Sequence, residues 1–223
     1  MTANEAKHWH ALRTCSKVIM WYRHMYDKKA VRVRAEKVIC ILDRASVRFV
    51  LMGSHATSGY RDEAQATGDI DVLVQARDHR NAVLALQIGY PTLVVSEESE
   101  KTRLQDRKTG RVAVDVMKPV DRLRRLVFKN AQRINGRYLI PDLDMTIACK
   151  FAVMMSPCRA LSKQLVDAGD FMNMVKTNRD EIDLERLRAF GGQELVEYVQ
   201  DVLADRVPKF LRKTWVNRFL SEE

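Results

Sequence analysis

Residues 49–74 read FVLMGSHATSGYRDEAQATGDIDVLV. An apolar run ends in Gly53-Ser54, a polar loop follows, and a second apolar run carries Asp69 and Asp71. The first run predicts a strand over 47–52, with Gly53-Ser54 turning into a short helix or loop. The second predicts a strand over 69–74. Residues i and i+2 of a strand share a face, roughly 6.5–7 Å apart along the chain. Asp69 and Asp71 therefore point one way while Ile70, Val72 and Val74 point the other. Further on, RVAVDVM (111–117) alternates with the strand period and sets Asp115 opposite Val112, Val114 and Val116.

Three carboxylates on apolar strands repel one another and lose hydration. Divalent cations remove that difficulty. Hard oxygen ligands suit Mg²⁺, and two ions about 3.5–4 Å apart can be bridged by such a set, polarising a phosphate, activating a hydroxyl and stabilising a leaving oxygen. Gly53 lets the backbone come close, and Ser54 at a helix start offers amide and hydroxyl donors to phosphate oxygens. Singly, a DxD pair, an Asp in a strand and a Gly-Ser turn are common. Their order along the chain is what is specific.

Outward from this centre, residues 4–26 and 29–45 read as helices. Trp9, Trp21 and Tyr22 are expected to pack rather than to stack on bases. A helix is expected over 78–88, ended by Gly89 and Pro91, with strands over 92–95 and 102–107 and a turn at Lys108-Thr109-Gly110. After Pro119 the pattern turns helical over 121–131, passes through a short ribbon (133–140), and continues as helices over 142–155, 160–177, 183–190 and 193–205. The expected fold is α+β: a small mixed sheet with N-terminal helices (1–46), a core (47–135) and a C-terminal helical bundle (136–223).

At 223 residues, with 46% hydrophobic and 30% charged residues, the chain is long enough for a sizeable core and is not of disordered composition. No apolar run nears the roughly 18 residues of a membrane span, and the amino terminus lacks the basic-then-apolar order of a signal peptide. The four cysteines have neither CxxC nor His spacing, which predicts reduced thiols in a cytoplasmic protein. His8 and His10 have no third ligand at useful spacing and are not read as a metal site. The net charge of +9 is unevenly placed: +7 over 1–48, −5 over 49–100, +9 over 101–137 and −2 over 138–223. An acidic centre between basic flanks suits a site that holds cations and surroundings that attract a polyanion. The basic stretch offers Arg103, Arg107, Lys108, Arg111, Arg122, Arg124, Arg125, Lys129 and Arg133 to a nucleic acid. Ordinary solubility accounts for such charge equally well.

The order FVLMGS, TGDIDVLV, VAVDVM resembles the signature of the DNA polymerase beta-like nucleotidyltransferase superfamily. The loop ending in A-T-x-D-I-D and the helices after it resemble the AbiEii-type nucleotidyltransferase toxins of bacterial toxin–antitoxin systems, over roughly residues 47–177. The resemblance implies a triphosphate and Mg²⁺ held by Gly53, Ser54, Asp69 and Asp71, with Asp115 as the third carboxylate, accepting the proton of the attacking hydroxyl. It also implies nucleotide-binding roles for Lys150, in TIACKFAVMM, and for Lys163 and Asp167, in RALSKQLVDAGDFMNMV. Lys163, Asp167 and Asp170 share one helical face at i, i+4 and i+7, so a salt-bridge ladder within the helix is an equal reading. The family's arginine before A-T-x-D-I-D is replaced by Gln65, with Arg61 nearby, and its lysine–aspartate spacing is closer than here.

The implied activity is transfer of a nucleoside monophosphate from a nucleoside triphosphate to an acceptor hydroxyl. The leading acceptor is the 3′ end of tRNA, with a cognate antitoxin as partner and no membrane. Two rivals remain: nucleotidylation of a partner protein or of a small molecule such as an aminoglycoside, and a non-catalytic nucleotide- or RNA-binding module.

Overall fold

The computed structural model describes residues 2–26, 31–62 and 68–206. The chain divides into two compact units, Met1–Asp142 and Leu143–Glu223, so the N-terminal helices belong with the sheet. Gln65 and Thr67 lie outside the described residues.

The first unit is built on β1 (Phe49–Leu51), β2 (Ile70–Val74), β3 (Leu93–Glu97), β4 (Lys101–Asp106), β5 (Val112–Met117), β6 (Ala131–Ile134) and β7 (Tyr138–Pro141). They form one mixed sheet in the order β3-β4-β5-β2-β1-β7-β6. The β2–β5 and β1–β7 pairs are parallel and the other pairs antiparallel. The fold is α+β, as the sequence implies. Ile70, Val72, Leu73 and Val74 of β2 are all buried, as befits a strand inside the sheet. β4 alternates between half-buried and buried residues, as a strand with one covered face does. Its turn into β5 is tied by Asp106, whose carboxylate accepts from the backbone of Lys108 (2.9 Å) and Thr109 (3.0 Å), and from Val31 (2.8 Å).

Around the sheet stand α1 (Ala3–Tyr26), α2 (Ala35–Arg44), α3 (Gly53–Thr57), α4 (His79–Gly89) and α5 (Arg122–Val127). Helix α2 buries Val38, Ile39 and Leu42. The helix expected over 121–131 is shorter. Asp121 caps its start by accepting from Arg124 N at 2.7 Å, and it ends at Val127 because residues 131–134 pair with β7 instead. Trp9 packs on Tyr138 with ring centroids 6.2 Å apart, but Trp21 is 64% exposed, so packing does not explain it.

The second unit holds α6 (Leu143–Met154), α7 (Leu161–Thr177) and α8 (Leu184–Leu203). Asp183 caps α8, and Gly192 at φ +74° kinks it where the sequence predicts two helices. Phe151, Phe171 and Tyr198 bring the three helices together, with the Phe151 ring 6.1 Å and 5.2 Å from the other two. Among the described residues no helix is long and apolar enough to cross a membrane.

Candidate active site

β2 lies between β1 and β5, and this order assembles the site. The parallel register sets Asp71 beside Asp115, while Asp69 lies one residue before β2. Asp69, Asp71 and Asp115 each offer an oxygen, and these oxygens all lie within 4.8 Å of one another. The backbone joins Gly53 to the same point, since Met52 N donates to Asp71 O at 2.9 Å. Gly53 has φ +59°, and a β-carbon there would overlap Asp71 Oδ2. Only glycine leaves the space between turn and carboxylate open. Ser54 follows in the first turn of α3.

Asp115 is only 4% exposed. Its Oδ2 pairs with Lys101 Nζ, and its Oδ1 is buried without a hydrogen bond. Arg103 Nε stands 3.6 Å from that Oδ1, while Arg103 Nη1 is held by Glu98 at 2.7 Å. Two half-buried carboxylates and a third with an unsatisfied oxygen are hard, anionic donors at short range. This set fits Mg²⁺. Among the described residues, Lys101 and Arg103 both pair with Asp115, at one end of it.

His55, two residues past Gly53, is 3% exposed, and neither ring nitrogen has a hydrogen-bond partner. Burial pushes its imidazole down to about 4, against the opposing pull of Asp69, so the ring is neutral near pH 7.

The second unit holds a separate charged cluster. Lys150 Nζ lies 2.7 Å from Asp167 Oδ1 and 2.8 Å from Asp170 Oδ2, and Arg159 Nε also meets Asp167. Both aspartates are buried and Lys163 is exposed. Ion pairs thus run from α6 to α7, and Lys163 forms none with the aspartates on its own helix among the described residues. The one-helix ladder is replaced by a cross-helix one. Asp144 makes a similar tie, accepting from Arg186 Nη1 at 2.8 Å and from Asp183 N at 3.2 Å.

The basic stretch divides by environment. Arg103 and Arg124 are engaged by carboxylates, Arg124 with Glu100 at 2.8 Å and Asp121 at 3.2 Å. Arg107, Lys108, Arg111, Arg122, Arg125, Lys129 and Arg133 are exposed, and Arg61 is half-buried. The sequence reading missed Lys101, His55 and Arg159. Lys101 was out of reach: counting the β4–β5 hairpin back from Gln105 and Val112 pairs Arg103 with Val114, and only the register shift between Leu104 and Gln105 sets Arg103 opposite Asp115, with Lys101 one pleat further on the same face.

No protein-family model matches the chain, and no curated protein is significantly similar to it. Several solved structures are similar in chain path. A nucleotidyltransferase-like antigenic protein from Paracoccidioides brasiliensis is 15% identical, with 64% of this chain and 77% of that one covered and a TM-score of 0.43. The antibiotic-resistance factor ANT(2'')-Ia in solution is 11% identical over 84% of this chain and 95% of its own, with a TM-score of 0.46. Terminal uridylyl transferase 4 from Trypanosoma brucei, with bound GTP, is 14% identical over 86% and 71%, with a TM-score of 0.33. These are distant matches.

Proposed function

We propose that the protein is a Mg²⁺-dependent nucleotidyltransferase. The observation that carries this reading is the convergence of Asp69, Asp71 and Asp115, with Gly53 pressed against Asp71 and one oxygen of Asp115 left unsatisfied. Bound there, Mg²⁺ would supply charge neutralisation for phosphate oxygens and for the leaving pyrophosphate. The chain's own residues orient the reactants. Gly53 leaves room for the triphosphate, and Ser54 donates to its oxygens. An acceptor hydroxyl oxygen bonds to the α-phosphorus, the bond from that phosphorus to the bridging oxygen of the β-phosphate breaks, and pyrophosphate leaves. Asp115 takes the hydroxyl proton, and Lys101 pairs with its carboxylate.

The acceptor we favour is the 3′ end of tRNA, with growth arrest as the outcome, a cognate antitoxin as partner and the cytoplasm as the compartment. The motif order resembling AbiEii-type toxins supports this, as do the exposed basic residues of 101–137 and four cysteines that form no disulfide among the described residues. That resemblance gives Lys150, Lys163 and Asp167 to the nucleotide. The Lys150–Asp167 ion pair within the helical unit favours a second reading for two of them, a structural tie. Incubation with each α-labelled nucleoside triphosphate, total RNA and Mg²⁺ tests the proposal. Label in the RNA fraction is expected. Label in protein or in the small-molecule fraction would move the acceptor, and no label anywhere would refute the transferase.

A further inference from the structure

A second charged site lies at the other end of the sheet. Arg48, Arg133 and Arg137 line a cavity of about 310 Å³ with Asp43, Ser46 and Tyr138. Arg48 immediately precedes β1, Arg133 lies on β6, and Arg137 is in the turn before β7. β1 runs from this cavity to Gly53, so the cavity and the carboxylates are separated by roughly 16 Å of strand, at about 3.3 Å per residue.

These three arginines differ from those that stand against carboxylates. Arg103, Arg124, Arg159 and Arg186 each meet a carboxylate. Arg48, Arg133 and Arg137 form no ion pair among the described residues. Arg48 donates only to Phe128 O, at 3.4 Å, and Arg133 only to Gly136 O, at 3.4 Å. Two of the guanidinium groups rest over aromatic rings, Arg48 5.9 Å from the centre of Phe128 and Arg137 5.7 Å from that of Trp9. An arginine laid on a ring is partly ordered in advance, and its N–H edges stay available for the two-pronged contact that phosphate accepts. The exposed Asp43 on the rim is one negative charge against three positive ones. The cavity is at the small end of ligand pockets, which span roughly 300–1,000 Å³. It has room for a phosphate group and its sugar.

We propose that Arg48, Arg133 and Arg137 form a subsite for backbone phosphate of an RNA acceptor, upstream of its reacting 3′ end. A chain polyanion whose end reacts at the carboxylates carries further phosphates at about this distance, whereas the phosphates of a single nucleotide are engaged at the carboxylates themselves. This rests on the transferase reading for its orientation, but its readout is binding alone.

The test is anisotropy of labelled tRNA with the full chain, in Mg²⁺ without nucleoside triphosphate, across a salt series. The triple variant Arg48→Ala/Arg133→Ala/Arg137→Ala is expected to bind at least 10-fold more weakly. Its log affinity should also fall less steeply with log salt, by about 0.7 for each single-stranded phosphate that the variant no longer neutralises. The triple lysine variant should keep most of the salt slope while losing part of the affinity, because lysine has the charge without the fork. Thermal midpoints check folding, and Arg48→Ala and Arg137→Ala singly carry the same comparison if the triple variant melts early. Unchanged affinity and slope, or no RNA binding by the wild type, would overturn the proposal. So would loss of pyrophosphate binding with RNA binding intact, which would give the cavity to free oligophosphates. Weakened RNA binding in a protein that transfers no nucleotide would support the subsite and sink the transferase, and the reverse pattern would do the opposite.

Discussion

A β-carbon on Gly53 would overlap Oδ2 of Asp71 and stand 3.1 Å from its carboxyl carbon. The turn and the carboxylate are built as one piece, since the backbone of Met52 also donates to Asp71. Gly53→Ala therefore forces a non-glycine residue to φ +59° and pushes Asp71 aside. The backbone term alone is about 1–3 kcal/mol. The expected result is a lowered thermal midpoint and a loss of nucleotide transfer of at least 100-fold.

Without cations, three carboxylate oxygens within 4.8 Å are mutually destabilising. Asp71→Asn keeps the shape and removes one charge. In EDTA this variant is expected to unfold at higher urea than the wild type, by about 0.5–2 kcal/mol, while transfer falls to background. Asp115 would be the wrong position for this comparison, because its neutralisation strands Lys101. Equal or lower stability of Asp71→Asn would contradict the repulsion.

Lys150 is the cation between two buried aspartates. Removing one partner of a buried pair costs on the order of 3–5 kcal/mol, because the remaining charges are left uncompensated. Lys150→Met is expected to destabilise the helical unit by about that much in urea unfolding. Adding Asp167→Asn and Asp170→Asn should recover a large part of the loss. A Lys150→Met variant of wild-type stability would return this lysine to a purely ligand-binding role.

The carboxylate site was legible because the period-2 pattern of β2 and β5 is local: each Asp interrupts a run whose alternate residues are apolar. What sequence could not supply was pairing across distance. Asp167 and Asp170 face inward because Lys150, on a different helix, meets them there, and spacing along α7 says nothing about that. The ribbon after α5 was visible, but its first strand begins inside the expected helix, since Ala131–Ile134 is too short to show an alternation of its own. The arginine cavity draws on residues 48, 133 and 137, which only the pairing of β1 with β7, and of β7 with β6, brings together. His55 looked like a loop polar residue, and its burial depends on the sheet around it.

Burial lowers His8 and His55 from 6.5 to about 4 each, His8 lying edge-on to Tyr60 at 4.5 Å. The unfolded chain then binds more protons than the folded one between those values, so stability is complete above pH 6.5 and declines as the pH falls towards 4. Urea unfolding at pH 7 and pH 5 is expected to differ by about 2 kcal/mol for each histidine. His8→Leu should remove its share of that difference. A flat profile over this interval would show that the rings are not held neutral.

The central claim is that Asp69, Asp71 and Asp115 hold divalent cations together, and the most direct measurement is Mn²⁺ binding by electron paramagnetic resonance, without nucleotide, for the wild type and for Asp71→Asn. Saturable binding by the wild type, weakened at least 10-fold by the substitution, is the predicted result. Equal binding by both proteins, or none by either, would contradict it.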